Sequence, residues 1–416
     1  MNEILNLLNP WWFGRSFKTG IDRPKYQKKL IYSLNHKRII LLVGSRRVGK
    51  TTLFYQFIAK LLERTLPQHI LYALMDHPQI SSYKIYDLVR EYRKEFNLDR
   101  KTKIYLFLDE IQYIKDWERE IKSLFDSENV KIFLSGSASS HLIVKSSYLT
   151  GRMEKIDVYP LDFEEFLSFK KAKISETENY KFEKYADEYL KIGGYPEYVL
   201  EEDPAYFSDL VNSILYKDIV NLYQLKNPDL LKDLILLLAD RVGHQTTYSK
   251  LASILGIKVD TVKEYIFYLK NTFLIDELPR ASLSRSARIY GPKKFYLQDN
   301  GILFHLLGRL SYGQALEQTI FHFLKNSGKQ TGFYYEDQKE IDFLFANKDT
   351  VELWETKYKM EEDSEKKLSV YLKVAKFKQC KKITVITKSK DEKRRLENIE
   401  IKFLPLWRLL INNKKQ

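Results

Sequence analysis

Residues Leu41–Thr52 read LLVGSRRVGKTT. The apolar run Ile39–Val43 ends at a glycine, and Gly44-Ser45-Arg46-Arg47-Val48-Gly49-Lys50-Thr51 leads into TLFYQFIAKLLE, whose apolar residues recur at helical spacing. A buried strand, a glycine-bracketed turn and a helix, in that order, make a phosphate cradle. Gly44 and Gly49 let backbone amides curl around an anion at the helix N-terminus, where the peptide dipoles favour negative charge. Lys50 is then expected on the β- and γ-phosphates of ATP and Thr51 on Mg2+, with Ser45, Val48 and Thr52 completing the loop. Arg46 and Arg47 lie inside the cradle, within reach of phosphate or of the acidic strand ends. The fold class that follows is α/β, with nucleotide at the C-terminal ends of a parallel sheet.

Such a cradle needs an acid at the end of a neighbouring strand to finish the metal site. KIYLFLDEIQYI supplies it in Asp109-Glu110. Asp109 is expected to hold Mg2+ through water, and Glu110 to polarise the attacking water as general base. That pairing points to hydrolysis rather than storage of nucleotide. A third apolar strand, VKIFLSGSA, places Ser135 where it would sense the γ-phosphate.

GSRRVGKTT, FLDEIQYIKDWEREIKSLFD, IFLSGSASSHL and LTGRMEKIDVYPLDFEEFL together resemble the archaeal and bacterial AAA-type ATPases related to the STAND group. NPWW at residues 9–12 and IDRPKYQKKL before the first strand are similar to that family's leader. The resemblance covers about the first 170 residues. It implies that Gly151-Arg152 completes the nucleotide site, the arginine acting in cis or supplied by a neighbouring copy, although a structural arginine fits the sequence equally well.

At 416 residues the chain is long enough for two to four domains, and 44% hydrophobic content argues against wholesale disorder. No run approaches the ~18 apolar residues of a membrane span, and the N-terminus does not read as a secretory signal. A lone cysteine, Cys380, excludes an intrachain disulfide framework and a cysteine-based zinc cluster. A cytoplasmic protein is expected. The net charge of +14 suits a nucleic-acid partner, and a heat-adapted surface gives the same balance.

Residues 160–235 read as helical and aromatic, and YLKIGGYPEYVL within them resembles a domain of unknown function that often follows such ATPases. Beyond them, TTYSKLASILGIKVDTVKEYIFYLKNTFLIDELP carries two helical faces separated by Gly256, with a wing expected after Phe273. Lys258, Asp260, Thr261, Lys263 and Glu264 would start the recognition helix. Two lysines against two acids make a poor major-groove reader, so a winged helix that packs on protein is the competing reading.

In the last third, Glu317 falls on a helix, Asp342 at a strand start, and Glu355 and Lys357 two apart on the next strand, hence on one face. Glu352, three positions from Glu355, falls on the other face. Carboxylates and a lysine converging there would bind Mg2+ and orient a water for attack on phosphate. The pattern resembles the PD-(D/E)XK nuclease superfamily. Asp342 matches its first acid, Glu355-Thr356-Lys357 its E-x-K and Glu317 its helix glutamate, while Ile341 stands where that family often has proline.

The expected organisation is an AAA-type ATPase domain over 1–160, a helical linker or lid over 161–230, a winged helix over 231–290 and a nuclease-like α/β domain over 291–416. ATP, ADP and DNA are the expected partners, further copies of the chain fit the shared-arginine reading, and no membrane contact is expected. The competing reading is a STAND-like nucleotide switch that governs protein assembly, with an inert tail.

Overall fold

A computed structural model describes residues 3–137, 149–175, 178–282, 284–328, 331–336, 339–346, 351–359, 371–375, 380–396 and 398–411. The chain divides into two compact bodies, residues 1–159 with 271–273, and residues 160–270 with 274–416.

In the first body, strands β1 (Ile39–Val43), β2 (Ile70–Leu74), β3 (Ile104–Asp109), β4 (Val130–Gly136) and β5 (Met153–Asp157) form one sheet in the order β2-β3-β4-β1-β5. All four pairings are parallel. β1 and β4 are buried along their whole length, as continuous apolar runs covered on both faces should be. Phe54, Phe57, Phe107 and Phe133 pack on one another beneath the helix Lys50–Leu62.

The NPWW leader closes the exposed edge of this sheet. Asn9 behaves like one residue of a neighbouring strand: its Nδ2 donates to Tyr72 O at 2.8 Å and its Oδ1 accepts from Tyr72 N at 2.7 Å. The indoles of Trp11 and Trp12 both donate to Ile70 O, at 3.2 and 2.8 Å. Edge groups of β2 that would otherwise invite another strand are thereby capped. Arg23 of the second leader motif is buried, and its guanidinium donates to Val48 O and Tyr159 O, both at 2.9 Å. It braces the cradle from behind.

The second body opens with helices, including Phe163–Phe169, Asn179–Ile192 and Tyr206–Ser213, the last running on through a π-helical stretch, Ile214–Val220. The helices Pro228–Asp240, Tyr248–Leu255 and Val259–Asn271 follow, with Gly256 at φ +65° in the turn between the last two. Then comes an antiparallel hairpin of β6 (Ile275–Pro279) and β7 (Lys293–Leu297), and Thr246 bridges to Lys293 beside it. The domain boundary expected at residue 290 therefore cuts through a hairpin, because β7 must pair with β6 to satisfy its amides.

After the helices Asn300–Leu307 and Tyr312–Asn326 come β8 (Thr331–Glu336), β9 (Lys339–Ala346), β10 (Val351–Lys357), β11 (Lys382–Thr387), β12 (Glu392–Leu396) and β13 (Ile399–Pro405). They form a mixed sheet ordered β12-β13-β11-β10-β9-β8, antiparallel from β8 to β10 and parallel from β10 through β11 to β13.

Asp299, unremarkable in the sequence, ties this body together. It is buried and accepts from Gly194 N at 2.7 Å and Gly301 N at 2.8 Å, capping the helix Asn300–Leu307. Burial raises its carboxyl to about 6, against the pull of these amides. Gly193 approaches so closely, at φ +77°, that a Cβ there would lie 1.8 Å from Asp299 Oδ1. Asp299→Ala removes a helix cap and leaves a buried amide unpaired, so a loss of about 2–4 kcal/mol is expected in denaturant unfolding of this body.

Candidate functional site

The cradle forms where β1 gives way to the helix Lys50–Leu62. A Cβ on Gly44 would lie 2.2 Å from Val158 O, so only glycine lets β1 turn there. Gly49 sits at φ +93° as the helix cap, and Arg47 is also left-handed at φ +59°. The turn buries Ser45 and Val48, half-buries Arg46 and Gly49, and exposes Arg47, Thr51 and Thr52. Lys50 is buried, and its ammonium donates to Gly44 O and Ser45 O, both at 3.0 Å. The cation is curled back on the carbonyls of its own loop.

Thr51 and Asp109, expected to share a cation, are joined directly. Thr51 Oγ1 donates to Asp109 Oδ2 at 2.5 Å. Asp109 is fully buried and takes two further hydroxyls, Tyr72 at 2.8 Å on Oδ2 and Ser135 on Oδ1. Burial pushes its carboxyl up, and the neighbouring Glu110 adds to this, while the three hydroxyl donors pull it down. Hard oxygen donors from Thr51 and Asp109, side by side at the cradle's mouth, fit the chemistry of Mg2+.

Glu110 stands in the left-handed region, φ +55° and ψ +49°, a conformation that a non-glycine residue adopts at a cost. Its carboxylate lies 3.8 Å from the Lys50 ammonium and accepts from Gln112 Nε2 at 2.5 Å, and Gln112 Nε2 is also 3.1 Å from Ser137 Oγ. Ser135 Oγ additionally accepts from Glu110 N at 3.1 Å. Ser135 thus spans the acid pair. Arg46 reaches sideways to Tyr113 Oη at 2.7 Å.

Arg152 does not join this group. It precedes β5, whose first residue Met153 pairs with Ile39 at the start of β1, so it lies at the end of the strands opposite the cradle. There it pairs with Asp126 at 3.2 Å, both side chains substantially exposed. A role for Arg152 in its own chain's nucleotide site is therefore corrected by the parallel register.

The tail residues also converge. Asp342 lies within β9 rather than at its start. The β9–β10 ladder runs from Val351↔Ala346 to Trp354↔Phe343. Beyond it, side chains replace the backbone pairing: Asp342 N donates to Glu355 Oε2 at 3.2 Å, and Asp342 Oδ2 accepts from Thr356 N at 2.9 Å and Thr356 Oγ1 at 2.7 Å. Lys357 lies 2.6 Å from Glu355 Oε1, which also accepts from Tyr371 at 3.0 Å.

Glu317 faces a residue that the motif did not include. Lys294 of β7 is fully buried, with its ammonium 2.9 Å from Glu317, 2.7 Å from Glu340 and 3.3 Å from Asp342. Tyr296, two residues on and on the same strand face, donates to Glu317 Oε1 at 2.8 Å. Glu317 is thus engaged by an ammonium and a hydroxyl, as Asp342 is engaged by the same ammonium and by Thr356. Burial pulls the Lys294 ammonium down, but Glu317 and the other anionic neighbours outweigh this and hold it well above its usual value. Burial, then Asp342, raises Glu317 and Glu355 each to about 7. Asp342 is raised by burial but held below its usual value overall by Lys294, Lys357 and Thr356.

Among the described residues no group of three or more acid, histidine or cysteine side chains stands ready for a metal. Asp342 and Glu355 offer two hard carboxylates, a set that suits Mg2+ when substrate phosphate supplies further oxygens.

Residues 36–167 match the model of the AAA domain family, and residues 183–312 that of a domain of unknown function. An uncharacterized protein of Haemophilus influenzae is 27% identical over 404 residues, covering 94% of this chain and 99% of that protein. An uncharacterized protein of Methanocaldococcus jannaschii is 28% identical over 396 residues, covering 89% of this chain and 88% of its own. Among solved structures, a Walker-type ATPase of Pyrococcus abyssi aligns over 71% of this chain and 99% of its own, at 17% identity and a TM-score of 0.44. No helix among the described residues is long and apolar enough to cross a membrane. The chain carries an AAA-type P-loop ATPase domain, a nucleotide-binding unit.

Proposed function

We propose that this chain is a Mg2+-dependent ATPase that works on DNA, with a metal-dependent nuclease site in its last third. The convergence of Lys50, Thr51, Asp109 and Glu110 at one end of the sheet carries the reading. Lys50 leaves the Gly44 and Ser45 carbonyls for the β- and γ-phosphate oxygens. Thr51 and Asp109 would hold Mg2+, and the metal would supply charge neutralisation on the transferring phosphoryl group. Glu110, held by Gln112 beside Lys50, orients the attacking water and takes its proton.

The DNA reading draws on the +14 charge and on the two helices Tyr248–Leu255 and Val259–Asn271, which with the β6–β7 hairpin we read as a winged helix. The nuclease reading draws on Asp342, Glu355 and Lys357 and on the order helix, three antiparallel strands, helical segment, parallel strand. One observation favours the rival reading, an assembly switch with an inert tail: Lys294 already neutralises part of the acid cluster.

The test is ATP turnover with Mg2+, with and without duplex DNA. A severalfold rise on adding DNA is expected. Turnover indifferent to DNA, with no binding at low salt, would remove DNA from the function and leave the assembly switch.

A further inference from the structure

Resting on the DNA reading, the β6–β7 hairpin has a feature that the recognition helix lacks. Between Leu278 and Gln298 the sequence carries Arg280, Arg285, Arg288, Lys293 and Lys294, and no acid. Two of these basic groups are engaged inside the protein. Lys294 sits among the tail acids, and Lys293 Nζ donates to Ile289 O at 2.6 Å and Gly291 O at 3.2 Å. Lys293 thereby clamps the C-terminal end of a short helix, Arg285–Tyr290, at the hairpin's tip, and Ser284 Oγ caps the other end by accepting from Ala287 N at 3.3 Å.

This helix is fixed at both ends, yet none of its side chains is buried. Arg285 and Arg288 are exposed and form no ion pair among the described residues. Ile289 is 53% exposed and Tyr290 76%, the highest value for a large hydrophobic side chain among the described residues. Arg285, Arg288 and Ile289 share one helix face by their spacing of three and four. On the helix Val259–Asn271, by contrast, Lys263 is paired with Asp260 at 2.9 Å and Glu264 adds a further acid.

Unpaired arginines beside an exposed aromatic and an exposed aliphatic side chain match the chemistry of a DNA minor groove. Phosphates take the guanidinium groups, and apolar side chains wedge against sugars and base steps. We propose that the helix Arg285–Tyr290 is a duplex-DNA contact, with Arg285 and Arg288 on the backbone and Ile289 and Tyr290 in the minor groove. It anchors DNA without reading bases in the major groove.

The test is fluorescence anisotropy of the full chain with a labelled duplex of about 30 base pairs, roughly three helical turns, between about 50 and 200 mM salt. R285A/R288A is expected to weaken binding by about 10-fold or more and to flatten the log–log salt slope by about 2, one for each lost phosphate contact. Tyr290→Ala is expected to weaken binding severalfold with the slope unchanged. Lys258→Ala, just before the helix Val259–Asn271, should change affinity less than either. All three variants should keep the denaturant unfolding profile of the wild type, which checks that the second body is folded, and its DNA-free ATP turnover. Wild type that binds duplex while R285A/R288A binds equally well overturns this contact alone, and leaves the tip to an acidic protein partner. Wild type that binds no duplex at low salt overturns the contact together with the DNA reading on which it rests.

Discussion

Lys50→Ala is expected to abolish ATP binding, whereas Glu110→Gln keeps binding and slows turnover by about 100-fold or more. The two substitutions separate because the two side chains meet different parts of the reaction. The Lys50 ammonium is buried and 3.0 Å from the Gly44 and Ser45 carbonyls, and on the proposed reading it turns to the phosphates. Its loss leaves the loop's inward carbonyls without a donor and the anion without a counter-charge. Glu110 lies farther out, on a left-handed backbone position that glutamine can keep, with the same bond to Gln112. Glutamine preserves the shape but cannot take a proton from water. Titration calorimetry with ATP and a phosphate-release assay on both variants make the check. Equal turnover in wild type and Glu110→Gln would take Glu110 out of the mechanism, and ATP bound tightly by Lys50→Ala would take Lys50 out of the cradle.

The cradle could be read from the sequence because its chemistry is local. A buried strand, two glycines at fixed spacing and a helix start are specified within a few residues, and each has a backbone reason that needs no distant partner. The groups that hold the site in place were not legible in that way. Tyr72 meets Asp109 from 37 residues away, and Arg23 reaches Val48 across 25 and Tyr159 across 136. Nothing in the apolar run ILYAL distinguishes a tyrosine that packs from one that donates to a buried carboxylate. Arg152 misled for the converse reason. Its neighbours along the chain suit a nucleotide site, but the parallel register places it at the other end of the strands from the cradle.

Lys294 is the clearest case of context overriding local pattern. KKFYLQDN begins with two lysines, yet both are buried at the start of β7. Period two offered a weak signal, since Lys294 and Tyr296 must share a face and both engage Glu317. What the sequence could not supply was the identity of that face's neighbour. The helix carrying Glu317 begins at Tyr312, outside any local window. The acids of the tail were legible as a motif, whereas the charge balance around them was not.

That balance bears on the remaining prediction: Asp342→Ala is expected to lower Mg2+- or Mn2+-dependent DNA cleavage by about 100-fold or more while sparing ATP turnover. Asp342 and Glu355 face each other where the β9–β10 ladder gives way to side-chain bonds, and Lys357 stands 2.6 Å from Glu355. Both acids are buried, and burial with mutual repulsion raises Glu355 to about 7. A divalent cation between them would offset that repulsion, and Lys357 would face the scissile phosphate. Asp342 also accepts two bonds from Thr356 and one from Lys294, so alanine there loosens the strand pair as well. Asp342→Asn, which keeps the shape and can still accept from Thr356, separates the two effects: cleavage should fall as far as in the alanine variant, with a smaller loss of thermal stability. The ATP site lies in the other body, built from other residues, so its turnover serves as the internal control. If wild type cuts neither single-stranded, duplex nor branched DNA with either metal, or if both Asp342 variants cut as well as wild type, the nuclease reading fails. Lys294 would then be the structural counter-ion of a cluster that binds rather than cuts.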